Sequence, residues 1–190
     1  MLEVGAHTGS SMQSPASTPR SHLYFKRRLG GGLTSSRFSF SAPLHTKPNR
    51  GSAAAKRGLR FESRVLAAFA ARYGCRFVPQ LSLSFQTNSK VGRAILDGLL
   101  LSRDGKKLCI VEVKLSHCVD VFYQVQKFYL PILEDATRGA FEQIVFLEVC
   151  KNFDPWVKCP LEPRIISSPD DAFEASEGVL PVIVTRDGEL

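Results

Sequence analysis

Two apolar runs, each interrupted by charge and joined by a polar turn, dominate the pattern of this chain. Ile95-Leu96-Asp97-Gly98-Leu99-Leu100-Leu101 is apolar but for one carboxylate, and Leu108-Cys109-Ile110-Val111-Glu112-Val113-Lys114-Leu115 is apolar but for one carboxylate and one amine. The connecting Ser102-Arg103-Asp104-Gly105-Lys106-Lys107 contains Asp-Gly, whose residues tolerate the positive φ of a tight turn, so the spacing predicts a β-hairpin centred on Asp104-Gly105. Pairing about that centre sets Asp97 opposite Glu112 and Ile95 opposite Lys114. Side chains alternate along a strand, so Asp97, Glu112 and Lys114 share one face with Ile95, Leu99, Leu101, Leu108 and Ile110.

The flanking patterns predict the remaining elements. From about Ala55 to Tyr73, Phe61, Val65 and Ala68 recur at helical spacing, as do Leu66, Phe69 and Tyr73, and Gly74 is a natural stop. Leu81-Ser82-Leu83-Ser84-Phe85 alternates as a strand, followed by a turn at Asn88-Ser89-Lys90. After the hairpin, Ser116 is placed to cap a helix from His117 to about Ala136, with Cys118, Phe122, Val125, Tyr129 and Ile132 as its core stripe and Pro131 kinking or dividing it. Gln143–Val149 and Pro181–Thr185 read as further strands, while the Pro- and Asp-rich passage 153–178 shows no legible organisation. The order is helix, three strands, helix, strand over roughly residues 56–150.

Two carboxylates facing each other across a strand pair, with Cβ atoms roughly 4.5–5.5 Å apart, repel one another, and burying them without partners costs more. A divalent cation relieves both problems: Mg²⁺ takes one or two carboxylates together with phosphate oxygens and water. Lys114 beside such an ion can orient water or neutralise charge developing on a phosphate. The plainer reading is an amphipathic hairpin whose charges face solvent, but a solvated face is not mostly aliphatic. Glu62 lies on the Leu66/Phe69 stripe of the first helix. It either complements the helix dipole from the first turn or serves the same polar site.

At Asp97 and Glu112-Val113-Lys114 the chain resembles the PD-(D/E)XK nuclease superfamily, with Leu96 in place of the proline before the aspartate. The resemblance implies a restriction-endonuclease-like α/β fold with an αβββαβ core, its mixed central sheet flanked by helices. It also implies Asp97 and Glu112 as ligands of Mg²⁺ or Mn²⁺ with the Val113 carbonyl as an extra ligand, Lys114 as the catalytic amine, and Glu62 as the first-helix glutamate assisting through an outer-shell water. Gln124 and Lys127, on the helix after the motif, are candidate nucleic-acid contacts or plain solvated residues. The Gln-x-x-x-Tyr of several exonuclease branches is not met, because Phe128 is four residues after Gln124 and Tyr129 five. His117 reads as a capping or surface histidine.

Charge divides the chain. Residues 1–60 hold ten Lys and Arg against one acid, and 61–190 hold fifteen against seventeen, so the leader supplies the net +7. Rich in Ser, Gly and Pro, residues 1–55 are expected to be a disordered basic tail able to bind nucleic acid non-specifically, with a nuclease-like domain over 56–190. The leader also has features of an organellar transit peptide, though Glu3 and the lack of an amphipathic opening argue against one. With no secretory h-region and no apolar run of ~20 residues, the chain is expected to be soluble and intracellular, cytoplasmic or nucleoid-associated, with no membrane partner. Cys75, Cys109, Cys118, Cys150 and Cys159 form no Cys-x-x-Cys, so reduced structural thiols are expected. The expected activity is metal-dependent hydrolysis of nucleic-acid phosphodiesters, with DNA favoured over RNA. The alternative is a nuclease-like module that grips nucleic acid or a protein without cleaving. Since the folded part is slightly acidic, affinity must come from the tail, a homodimer or a partner protein.

Overall fold

A computed structural model describes the backbone of residues 23–29, 32–38, 52–86, 91–137, 139–188 and 190, and the side chains of 52–82, 95–134, 137, 139–188 and 190. Within these residues, β1 (Leu23–Leu29) and β2 (Gly32–Phe38) form an antiparallel hairpin inside the leader expected to lack structure. Helix α1 (Ala53–Tyr73) follows, starting slightly earlier than its apolar stripe. Ser52 caps it by accepting the Ala55 N–H. Gly74 ends it at φ 53°, its N–H bonded to the Ala70 carbonyl. The two predicted stripes merge into one buried face of Phe61, Val65, Leu66, Phe69 and Tyr73.

The strands β3 (Phe77–Gln86), β4 (Val91–Leu101), β5 (Lys107–Ser116), β6 (Gln143–Asn152), β7 (Glu162–Ile165) and β8 (Val179–Val184) complete a mixed sheet in the order β1-β2-β3-β4-β5-β6-β8-β7. Pairings from β1 to β5 are antiparallel, and β5–β6, β6–β8 and β8–β7 are parallel. The proposed turn at residues 88–90 lies outside the described residues. The fold is thus α/β, a mixed sheet flanked by helices, and the order helix, three strands, helix, strand is the one expected.

Each face of the sheet packs its own core. On one, α1 and a 3₁₀ turn at Pro169–Glu174 cover Leu100, Cys109, Val111, Val113, Leu147 and Val149. On the other, the helical segment after β5 covers Leu81, Leu96, Leu99, Leu108 and Ile110. Strand β5 is therefore buried on both sides over most of its length, which explains its near-continuous apolar run. All five cysteines are free thiols.

Three expectations are corrected. Ser116 does not cap a helix: it remains in β5, in register with Asn152, and α2 (Val119–Gln124) starts after Cys118 with no side-chain cap. The helical segment is continuous but not uniform, because α2 passes through a π turn (Val125–Tyr129) into α3 (Leu130–Thr137). The Leu130 N–H bonds the Val125 carbonyl five residues back. Pro131 has no N–H to offer the carbonyl four residues before it and its ring crowds that turn, so the helix widens just ahead of the proline instead of breaking. Finally, the passage 153–178 contains β7 and the 3₁₀ turn, the latter opened by a Ser168/Asp171 capping box.

Candidate functional site

The β4–β5 hairpin has the predicted register. Leu101 pairs with Leu108, Leu100 with Cys109, Leu99 with Ile110 and Gly98 with Val111, and there the ladder stops. Asp97 and Glu112 are the next positions, and no backbone bridge joins them. Instead the Asp97 Oδ2 accepts the Val113 N–H at 2.8 Å. The β3–β4 ladder is interrupted at the same place: Pro79 pairs with Gly98 and Leu81 with Leu96, but Gln80 does not pair with Asp97. Gln80 adopts φ 48°, the one positive φ outside glycine among the described residues. A non-glycine residue in this conformation is strained, and such residues concentrate at functional sites. The strand bearing Asp97 is thus released from both neighbours at Asp97.

That opening assembles the charged groups. Glu112 is 1% exposed and Asp97 9% exposed. The Lys114 Nζ donates to Glu112 Oε1 at 2.6 Å, a charge-assisted bond, while Glu112 Oε2 is buried with no partner. Gln80 Nε2 donates to Glu62 Oε1 at 3.5 Å, which draws the first-helix glutamate to the strained residue beside Asp97. Burial and the Asp97 charge push the Glu112 carboxyl up to about 7, against the opposing pull of Lys114. Burial also raises Asp97, partly offset by the Val113 N–H and by Lys114, and burial together with the Asp97 charge raises Glu62. Burial works against the Lys114 ammonium, but the charges of Glu112, Asp97 and Glu62 outweigh it and hold its pKa above the usual value. The sequence therefore brought together Asp97, Glu112, Val113, Lys114 and Glu62 correctly. Ile95 departs from the expectation: paired with Ser82 of β3, it is 46% exposed, so the face is aliphatic only toward the turn.

Gln124 faces the core and donates from Nε2 to the Tyr129 hydroxyl, which in turn donates to the Ile95 carbonyl at 2.9 Å. Five residues separate them, the interval a π turn brings into phase, so the helix compensates for a spacing that an α-helix would not. The Tyr129 hydroxyl has its pKa raised by burial and by the charges of Glu112 and Asp97, which puts it within reach of their field. Lys127 is exposed, with its ammonium 5.2 Å from the Tyr123 ring centroid.

Sequence reasoning missed a second pair. His117 is not a surface histidine: its Nδ1 meets Glu148 Oε2 at 2.7 Å and both side chains are fully enclosed. Phe153 packs on its ring at 5.1 Å. His117 Nε2 and Glu148 Oε1 are buried without partners. Glu148 is the register partner of Glu112 on β6. Its signal was present in the sequence, one acid inside Ile144–Val149, the same pattern that marked Glu112.

Glu112 Oε2 is the kind of orphan acceptor that a cation satisfies, and with Asp97 it offers the one or two carboxylates that Mg²⁺ requires. Among the described residues there is no group of three or more His, Cys, Asp or Glu able to hold a metal ion, so the remaining ligands would have to be water, a backbone carbonyl or phosphate oxygens. Among those residues, too, no helix is long and apolar enough to cross a membrane. A cavity of about 450 Å³ lined by Val125, Leu130, Ile144, Gly178 and Pro181 holds none of the candidate residues. Comparison of the chain with family models, with curated proteins and with solved structures finds no match.

Proposed function

We propose that this protein is a metal-dependent nuclease of the restriction-endonuclease-like kind, hydrolysing phosphodiester bonds of nucleic acid, with DNA the favoured substrate. The observation that carries this reading is the unpartnered Glu112 Oε2, buried beside Asp97 and Lys114 where both neighbouring ladders break off. Nothing in a purely structural sheet requires an orphan carboxylate oxygen there, since an apolar residue would cost less. Asp97 and Glu112 would hold Mg²⁺ or Mn²⁺, with the Val113 carbonyl as a further donor. When bound, the ion supplies Lewis-acid polarisation of the phosphate and acidifies a water.

The chain's own residues have separate tasks. Asp97 holds the Val113 peptide in place through its Oδ2. Lys114, a third exposed at its side chain, keeps its proton in the field of three carboxylates and presents positive charge where negative charge grows on the phosphate. Glu62, steered by Gln80, orients water from the α1 side. A binding module without hydrolysis is the second reading, supported by the absence of a third acidic, histidine or cysteine ligand among the described residues. Incubating the full chain with plasmid, linear duplex and single-stranded DNA and RNA, with Mg²⁺ or chelator, separates the two. Cleavage that requires Mg²⁺ and is lost in Asp97→Ala supports the nuclease. Binding without cleavage under every condition refutes it.

A further inference from the structure

The π turn that aligns Gln124 with Tyr129 has a counterpart one residue earlier. Tyr123 and Phe128 are also five apart, and the same widened turn brings them toward one side of the helix. Both are exposed, Tyr123 at 43% and Phe128 at 40%. Large rings left in solvent cost hydrophobic free energy that polar residues at these positions would avoid. Lys127 lies between them with its ammonium over the Tyr123 ring. Directly inward of this strip, Gln124 and Tyr129 tie the helix to the Ile95 carbonyl, two residues before Asp97. Exposed Ile95 extends the apolar surface onto β4 toward the acids.

Resting on the nuclease reading, we infer that Tyr123 and Phe128 form a stacking platform for unpaired bases, with Lys127 taking the adjoining phosphate. The substrate class is therefore single-stranded nucleic acid, or the unpaired end of a duplex, entering the Asp97/Glu112 site along the π turn. Aromatic faces interleaved with a cation match the two halves of a nucleotide: the ring stacks a base of any sequence and the ammonium pairs with its phosphate. A paired base inside a duplex has both faces covered and cannot use such a platform. The proposal thus also predicts discrimination between the two forms.

The test is fluorescence anisotropy of the full chain with a labelled mixed-sequence single-stranded DNA oligonucleotide and with its duplex, in Ca²⁺ in place of Mg²⁺. Both side chains are exposed, so Tyr123→Ala/Phe128→Ala is expected to keep the wild-type melting curve. It is expected to weaken single-strand binding by roughly tenfold to a hundredfold, the loss of one or two stacked bases. Duplex binding is expected to change by less than about threefold. Tyr123→Phe, which keeps the ring, is expected to bind like wild type even if the double variant proves unstable. Lys127→Ala is expected to reduce the salt dependence of single-strand binding by about 0.7 in slope. Ile165→Ala, an exposed apolar residue on β7 at the opposite edge of the sheet, serves as the control for general surface change. Single-strand binding unaffected by loss of both rings, equal losses for duplex, or an equal loss in Ile165→Ala overturns the proposal. Asp97→Asn measures the other reading separately: ring-dependent single-strand binding without any cleavage leaves this platform standing and refutes the nuclease, whereas Asp97-dependent cleavage with ring-independent binding does the reverse.

Discussion

Glu112 and Glu148 are neighbours in register on β5 and β6, each an acid in an apolar strand and each paired with a base, yet their surroundings differ in one decisive respect. The His117–Glu148 pair is sealed from solvent on every side, with Phe153 across the imidazole. The Lys114–Glu112 pair opens to water through the lysine and through the gap left where Asp97 parts from both adjoining strands. Burial without access makes a brace, because nothing can reach the charges. Burial with access makes a site, because a cation, a water or a phosphate can complete what the protein leaves unsatisfied. The same residue types thus serve opposite ends a few ångströms apart along the sheet.

The sharpest way to break this comparison is enzymatic. Asp97→Ala and Glu112→Ala are expected to abolish Mg²⁺-dependent cleavage, and Lys114→Ala to slow it about 10²–10³-fold, the loss typical of a contact to developing charge. Glu148→Gln, which keeps shape, is expected to retain the wild-type rate within a few-fold. Single-turnover cleavage rates decide it, and a Glu148 variant as inactive as the Asp97 one would erase the distinction.

Stability should show the reverse order. His117→Ala strands a buried carboxylate and is expected to cost about 3–5 kcal/mol in denaturant unfolding. Lys114→Ala in chelator is expected to cost roughly 1 kcal/mol, because water reaches Glu112. Metal sharpens the contrast further. Ca²⁺ at a hundredfold its dissociation constant is expected to stabilise the wild type by about 2.7 kcal/mol and Asp97→Asn by much less, read as melting temperature. In chelator Asp97→Asn, relieved of one charge while keeping an oxygen for the Val113 N–H, is expected to match or slightly exceed wild type.

The smallest expected effect is in pH. Without metal the Glu112 carboxyl titrates near 7 in the fold against an ordinary value of 4.5, so the folded chain holds a proton that the unfolded chain has already released. Its contribution to stability is complete below about 4.5 and is lost as pH rises toward 7, with Asp97 and Glu62 acting in the same direction. Urea midpoints in chelator should fall across that window, and both Glu112→Gln and saturating Ca²⁺ should flatten the fall.

Much of this arrangement was legible in the sequence because it is local. The Asp-Gly turn fixes the hairpin register, and register with two-residue alternation places Asp97, Glu112 and Lys114 together. The helical stripes place Phe61 through Tyr73 on the sheet and carry Glu62 with them. Gly74 stops α1 because only a residue without Cβ accepts its φ freely. What the tertiary structure alone decided depends on contacts between segments far apart in the chain. Strand β8 inserts between β6 and β7, so the Pro- and Asp-rich passage gained its order from neighbours that periodicity cannot name. Gln80 is forced into positive φ by the parting of β3 from β4, and His117 leaves the surface because a glutamate thirty-one residues on meets it inside the sheet. The π turn restores Gln124 to Tyr129 across a spacing the sequence seemed to forbid, since Pro131 leaves the turn before it short of a donor. Spacing along one strand or helix sets which side chains can face together. Whether water then reaches them is set by what packs above, and that is a property of the whole sheet and its two cores.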